Sequence, residues 1–122
     1  MNIGLTYTST TVVDKNNTAL ALGSGDMEVL ATPAMVALME NAAMKAVAPH
    51  LEDGQSTVGS QITTSHLAPS FLGATVTATA TLTAVEGRKL TFSIEAHDGQ
   101  ILIGSGTHIR YIVSRDRFLN RR

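Results

Sequence analysis

The 122-residue chain predicts an α+β fold: one long central helix wrapped by a curved antiparallel sheet. Two observations lead there. The stretch Pro33 to Ala48 (PAMVALMENAAMKAVA) is apolar almost all the way round, so something must cover most of its surface. The C-terminal half holds three consecutive runs that alternate apolar and polar residues with period two, the signature of half-buried strands.

Taken in order, Leu5 to Val13 is expected to add an edge strand. The helix follows; sixteen residues at 1.5 Å each make a rod of roughly 24 Å. Thr57 to His66 (TVGSQITTSH) reads as a more polar strand with Val58, Ile62 and His66 on one face, ended by Ala68-Pro69. From Gly73 to Val85 the run GATVTATATLTAV places Val76, Ala78, Ala80, Leu82 and Ala84 on one face and threonines on the other. Glu86-Gly87 makes a turn, and Lys89 to Ala96 alternates again with Leu90, Phe92, Ile94 and Ala96 inward. Asp98-Gly99 is a type I′ turn signal. In the last run, Ile101 to Val113, residues Ile101, Ile103, Ile109, Tyr111 and Val113 share one parity. The strands are rich in alanine and threonine, whose small side chains let a curved sheet approach the helix closely.

The length fits a single domain over residues 1–122, with a basic tail from Ser114 to Arg122 read as a solvated end. Nine Lys+Arg against ten Asp+Glu leave a net charge of −1 and no broad field for nucleic acid or an acidic membrane. There is no cysteine, hence neither a disulfide framework nor a thiolate nucleophile. The opening MNIGLTYTST lacks the charged start and apolar core of a secretion signal, and no apolar run approaches a membrane span. The expectation is a cytoplasmic protein with no nucleic-acid or membrane partner. The remaining sheet edge and the Thr/Ser-rich outer face suit pairing with an identical subunit.

Glu40 stands out because it occupies the wrong side of its helix. At about 100° per residue, Asn41 and Lys45 fall within about 40° of each other and mark a solvent stripe. Glu40 lies roughly 100–140° away by the same period, among Val36, Ala43, Met44 and Val47. Burying a carboxylate costs several kcal/mol unless it is paired, so Glu40 is a candidate for acid–base chemistry; the alternative is a carboxylate that only fastens the helix to a backbone amide. Thr32 precedes Pro33, which suits an N-cap whose hydroxyl accepts from the amide of Ala34 or Met35. The same hydroxyl also suits a nucleophile or substrate hydrogen-bond donor at a helix N-terminus.

Among the four histidines, His50 and His97 read as structural or solvated, and His108, sharing parity with Arg110, reads as an exposed ladder position. His66 points inward at the end of its strand, at a rim where substrate could enter. Hydroxyl, carboxylate and imidazole together form an acyl-transfer set. Gly104-Ser105-Gly106 reads as a strand bulge rather than a phosphate loop, and Gly59 as a bulge or a close approach of ligand to backbone.

The run ATPAMVALMENAAMKAVAPHLEDGQSTVGSQITTSHLAP, Ala31 to Pro69, closely resembles the fluoroacetyl-CoA thioesterase-like family of hot dog fold proteins, and the strands through GTHIRYIV extend the similarity over most of the chain. The resemblance implies a hot dog fold and a catalytic set of Thr32, Glu40 and His66, which match the family's residues by type and spacing. It implies Gly59 beside the substrate thioester, an acyl-CoA substrate, no metal and no cofactor beyond the coenzyme A of the substrate. It also implies a homodimer with its active site at the subunit interface. Arg88, Lys89 and the terminal arginines are candidates for the CoA phosphates. Acyl identity stays open, and two other hot dog activities fit the fold: an enoyl-CoA hydratase or dehydratase, and a non-catalytic acyl-CoA binder.

Overall fold

A computed structural model describes residues 1–120. Five antiparallel strands, β1 (Thr6–Val12), β2 (Gln55–His66), β3 (Thr75–Glu86), β4 (Lys89–Asp98) and β5 (Ile101–Ser114), form one sheet in the order β1-β3-β4-β5-β2. Between β1 and β2 the chain makes a four-residue helix α1 (Ala19–Leu22) and the long helix α2 (Thr32–Val47), which carries it from one sheet edge to the other. A 3₁₀ turn (Ala48–His50) follows α2, and a short helix α3 (Arg115–Leu119) follows β5. The expected basic tail thus begins at the end of β5 and continues as α3; its Arg121 and Arg122 lie outside the described residues. Among the described residues, no helix is long and apolar enough to cross a membrane.

Helix α2 buries Met35, Met39, Ala42, Ala43, Ala46 and Val47, and packs chiefly against β3 and β1. Opposite it, β3 contributes Val76, Ala78, Ala80 and Leu82, and β4 contributes Leu90, Phe92, Ile94 and Ala96, all essentially without solvent contact. These are the alternating residues that the sequence places inward. Lys45 is exposed as expected, but Asn41 does not join it in solvent: half-buried, its side-chain carbonyl accepts a 2.7 Å hydrogen bond from the Ser9 hydroxyl of β1. Glu40 is not sunk among apolar side chains either. It is half-buried and faces the opposite, β2–β5 side of the sheet.

Three bulges decide which side chains face the helix. Thr83 is the extra residue between the pairs Leu82↔Phe92 and Ala84↔Thr91, so Val85, and not Ala84, packs on the core side. Ser60 is extra between Gly59↔Arg110 and Gln61↔Ile109. Before it Thr57 and Gly59 face α2; after it Ile62, Thr64 and His66 do, while Val58 turns outward opposite the exposed Tyr111. Ile103 is extra between Ala96↔Gly104 and His97↔Leu102. Beyond Ile103 the inward parity of β5 therefore switches to even numbers, and His108 and Arg110 lie opposite the buried Phe92 and Leu90. The expectation of an exposed His108 fails for this reason: its parity was counted through a bulge.

The hairpin β4–β5 turns through Gly99-Gln100, and only Gly99 has positive φ (59°). A type I′ turn needs positive φ at both central residues, so the expected I′ geometry is not the one adopted. Gly106 is required by close approach, since a Cβ there would collide with the backbone carbonyl of Thr63 in the neighbouring strand.

Candidate active site

Helix α2 starts one residue earlier than the expected cap arrangement. Ala31 is the N-cap, with extended φ/ψ and no side-chain cap, and its carbonyl accepts from the amides of Ala34 and Met35, both at 3.0 Å. Thr32 is the first helical residue and Pro33 the second. Relieved of capping, the Thr32 hydroxyl lies 2.7 Å from His66 Nδ1, although the two residues are 34 positions apart.

His66 is held from behind. It ends β2 opposite Gly104, and the next amide, Leu67 N–H, donates to the Ile103 carbonyl at 2.6 Å, which makes the bulge residue the anchor of the strand end. Burial lowers the His66 pKa from its ordinary 6.5, partly offset by the Ala68 backbone. The ring is therefore neutral at neutral pH. With Nδ1 accepting from the Thr32 hydroxyl, the proton sits on Nε2, which is buried and has no hydrogen-bond partner among the described residues. A neutral imidazole on a hydroxyl at this distance can withdraw its proton. Thr32 and His66 open into a shallow cavity of about 300 Å³ that also borders Ala19, Leu30 and Pro69.

Glu40 does not join them within the chain. It stands eight residues beyond Thr32 on the same helix, about 12 Å along the axis, and belongs to a second cluster. A Cβ built on Gly59 would lie 3.0 Å from Glu40 Oε2, 3.2 Å from His108 Cε1 and 3.4 Å from Arg110 Nη1. Gly59 has an ordinary φ, so its role here is close approach rather than backbone freedom; alanine would press on the carboxylate. Arg110 is 7% exposed and donates from Nε to Thr57 Oγ1 at 2.9 Å and from Nη2 to the Thr57 carbonyl at 3.0 Å. His108, 1% exposed, places Nδ1 2.7 Å from the Gln61 carbonyl and Nε2 3.3 Å from Arg110 Nη1.

Thus the sequence-predicted Thr32 and His66 meet, and Glu40 and Gly59 meet in a separate cluster. His108, Arg110 and Thr57 complete that second cluster and were missed as site residues. The signal that could have found them is the Gly104/Gly106 pair, which marks a strand irregularity upstream of both and so reverses their parity. His50 is exposed as the last residue of the 3₁₀ turn and His97 is half-buried near the end of β4. At the other end of β5 from the Thr32–His66 pair, Arg88, Arg117 and Phe118 line a groove of about 710 Å³.

A long helix lying across a coiled five-stranded antiparallel sheet, with a hydroxyl–imidazole pair at the helix start, defines a hot dog protein of the thioesterase kind. More narrowly, the chain belongs to the FlK family of fluoroacetyl-CoA-specific thioesterases, whose family model matches residues 13–116. The fluoroacetyl-CoA thioesterase of Streptantibioticus cattleyicolor is 48% identical over 91 residues, a stretch covering 75% of this chain and 66% of that protein, just short of two thirds of its length. A variant of the FlK thioesterase in complex with fluoroacetate and CoA superposes with a TM-score of 0.90 at 41% identity, over 97% of this chain and 99% of that one. A hot-dog-like protein from Thermanaerovibrio acidaminovorans gives the same TM-score, 0.90, at 28% identity, over 99% and 90% of the two chains.

Proposed function

We propose that the protein is an acyl-CoA thioesterase that hydrolyses a short or small acyl-CoA thioester to the free acid and CoA. The observation that carries the reading is the 2.7 Å contact between the Thr32 hydroxyl and a neutral His66 Nδ1; family membership supplies the substrate class. A thioester carbonyl is activated because sulfur donates poorly into it, so the protein's tasks are positioning, proton transfer and oxyanion stabilisation. His66 takes a proton from Thr32 as it attacks, or from a water held by that hydroxyl. The same proton then goes to the departing CoA thiolate. If Thr32 attacks, the acyl group rests on its oxygen as an ester until a water, deprotonated by His66, adds to the ester carbonyl; His66 then returns that proton to the Thr32 oxygen as the C–O bond breaks and the acid leaves.

Glu40 completes the set from a second subunit. The helix separates Glu40 from Thr32 by about two turns within one chain, whereas a two-fold axis brings the Glu40–Gly59 cluster of one protomer toward the Thr32–His66 pair of the other. In this homodimer, Glu40 orients the imidazole or the hydrolytic water, and the exposed Gly59 backbone lets the thioester come close.

A thiol-trapping dye reads CoA release across short, branched, aromatic and halogenated acyl-CoAs, with fluoroacetyl-CoA included because relatives carry that name. Release from at least one small acyl-CoA is expected; no release from any would overturn the reading, and conversion of enoyl-CoA without thiol would move the protein to the hydratases. Mixing Glu40→Gln and His66→Ala dimers under exchange is expected to restore about a quarter of wild-type activity, because half of the dimers are mixed and each has one intact site. No restoration would return all three groups to a single chain.

A further inference from the structure

The geometry points to His108 as a positioning residue that aims the Arg110 guanidinium at Glu40 and Gly59 by presenting it with an unprotonated Nε2. The inference rests on the reading of Glu40 and Gly59 as part of a thioesterase site. Its basis is a tautomer that the structure specifies. The Gln61 carbonyl, 2.7 Å from His108 Nδ1, can only accept, so Nδ1 carries the proton. A neutral imidazole has one N–H, which leaves Nε2 as an acceptor. Arg110 Nη1, 3.3 Å from it, can only donate. Donor and acceptor therefore match in one tautomer and no other.

Arg110 gains direction from this contact. Thr57 holds one edge of the guanidinium through its hydroxyl and its carbonyl, and His108 holds Nη1, the nitrogen that faces the space above Gly59 where Glu40 Oε2 also lies. Without His108, Nη1 is left unsatisfied in a buried setting and the fork is free to swing about its Thr57 edge. The charged groups facing the imidazole are Arg110 from β5 and Glu40 from α2; β4 presents the uncharged Phe92 ring, 6.2 Å away between centroids, and β2 presents Ile62 and the Gln61 backbone. Burial lowers the His108 pKa most, Arg110 lowers it further, and the Gln61 carbonyl and Glu40 oppose them. The ring is thus neutral at neutral pH, and protonating it would turn Nε2–H against a cation.

Two variants and one spectrum test the role. His108→Leu removes the acceptor and is expected to lower kcat about 10–100-fold, the scale of a misplaced catalytic group, with KM within about threefold by the same reasoning. His108→Gln, whose side-chain carbonyl can accept from Nη1, is expected to recover most of that loss. On the acid side, log kcat/KM of the wild type should fall with a slope steeper than one, as His66 and His108 both take protons, and that of His108→Gln with a slope of one. Side-chain ¹⁵N NMR of the wild type should show His108 as the Nδ1–H tautomer.

Wild-type kcat in folded His108→Leu, a glutamine variant no better than the leucine one, or an Nε2–H tautomer would each overturn the proposal. If His108→Leu does not fold, the glutamine pH profile and the tautomer still decide. Absence of CoA release by the wild type would sink the thioesterase reading by itself, and the spectrum would then decide the imidazole–guanidinium arrangement alone.

Discussion

The two halves of the sheet do different work. Where β3 and β4 cross α2, the inner face is apolar, with Ser9 of β1 the one buried polar side chain on that side among the described residues, and the register runs without interruption as far as Leu82. Along β2 and β5, one bulge interrupts the β2–β5 ladder at Ser60 and another the β4–β5 ladder at Ile103, Gly59, Gly104 and Gly106 occupy tight places, and the inner face carries Thr57, Thr64, His66, His108 and Arg110. The first half supplies burial. The second places polar groups inward where Thr32 and Glu40 can meet them. Stability and chemistry are thereby separated along one continuous sheet, at the cost of a less regular ladder on one side.

That separation can be broken or sharpened by substitution. The largest effect is expected from His66→Ala, which should lower kcat by about 10²–10⁴ while the melting temperature stays near that of the wild type; an equal loss of melting temperature would make His66 a core residue. Leu82→Ala, on the opposite half, should cost about 2–5 kcal/mol in denaturant unfolding with kcat per folded molecule unchanged. A loss of kcat there would join the two halves. Smaller still is a pH effect confined to the β2–β5 half. His66 and His108 both have folded-state pKa values below the ordinary 6.5, so the unfolded chain binds more protons as the solution is acidified. Thermal stability should hold above about pH 6.5 and decline below it, and His108→Gln should flatten the decline. Stability independent of pH down to 5 would contradict the buried neutral rings. The smallest effect is expected from Thr32→Ala, within about 0.5 kcal/mol of wild-type stability, because Ala31 and not Thr32 starts the helix. A loss nearer 1 kcal/mol, the usual value of an N-cap side chain, would restore Thr32 to that role; its effect on kcat is read separately.

The regular half was legible in the sequence almost residue by residue. Alternation in GATVTATATLTAV and in Lys89 to Ala96 assigns the inner face as far as Leu82 and Ala96, because period two is a direct statement about sides when no residue is inserted. The helix was legible within a residue at its start and end. What period two cannot supply is the location of a bulge. Ser60 and Ile103 each add one residue, and parity counted past them assigns Val58, His108 and Arg110 to the wrong faces. The Thr32–His66 pair was read from residue types and from the family resemblance, yet its contact depends on Ala31 taking over the cap, which no local sequence signal announces. Glu40 was singled out as a carboxylate held against the core; it is half-buried, and its neighbours are the polar residues of a bulged strand rather than the apolar ones of its own helix.

The paired stretch of β5 beyond the Ile103 bulge depends on counting. Remove one residue between Gly104 and His108 with the hairpin held fixed, and the strand downstream moves by a single position, so that Ile109 and Tyr111 turn toward the helix while His108 and Arg110 turn to water. Both side chains would still be present, and both would look the wrong way. In this part of the molecule length constrains inheritance more tightly than composition does: a deletion of three nucleotides would do what no single exchange of side chains achieves.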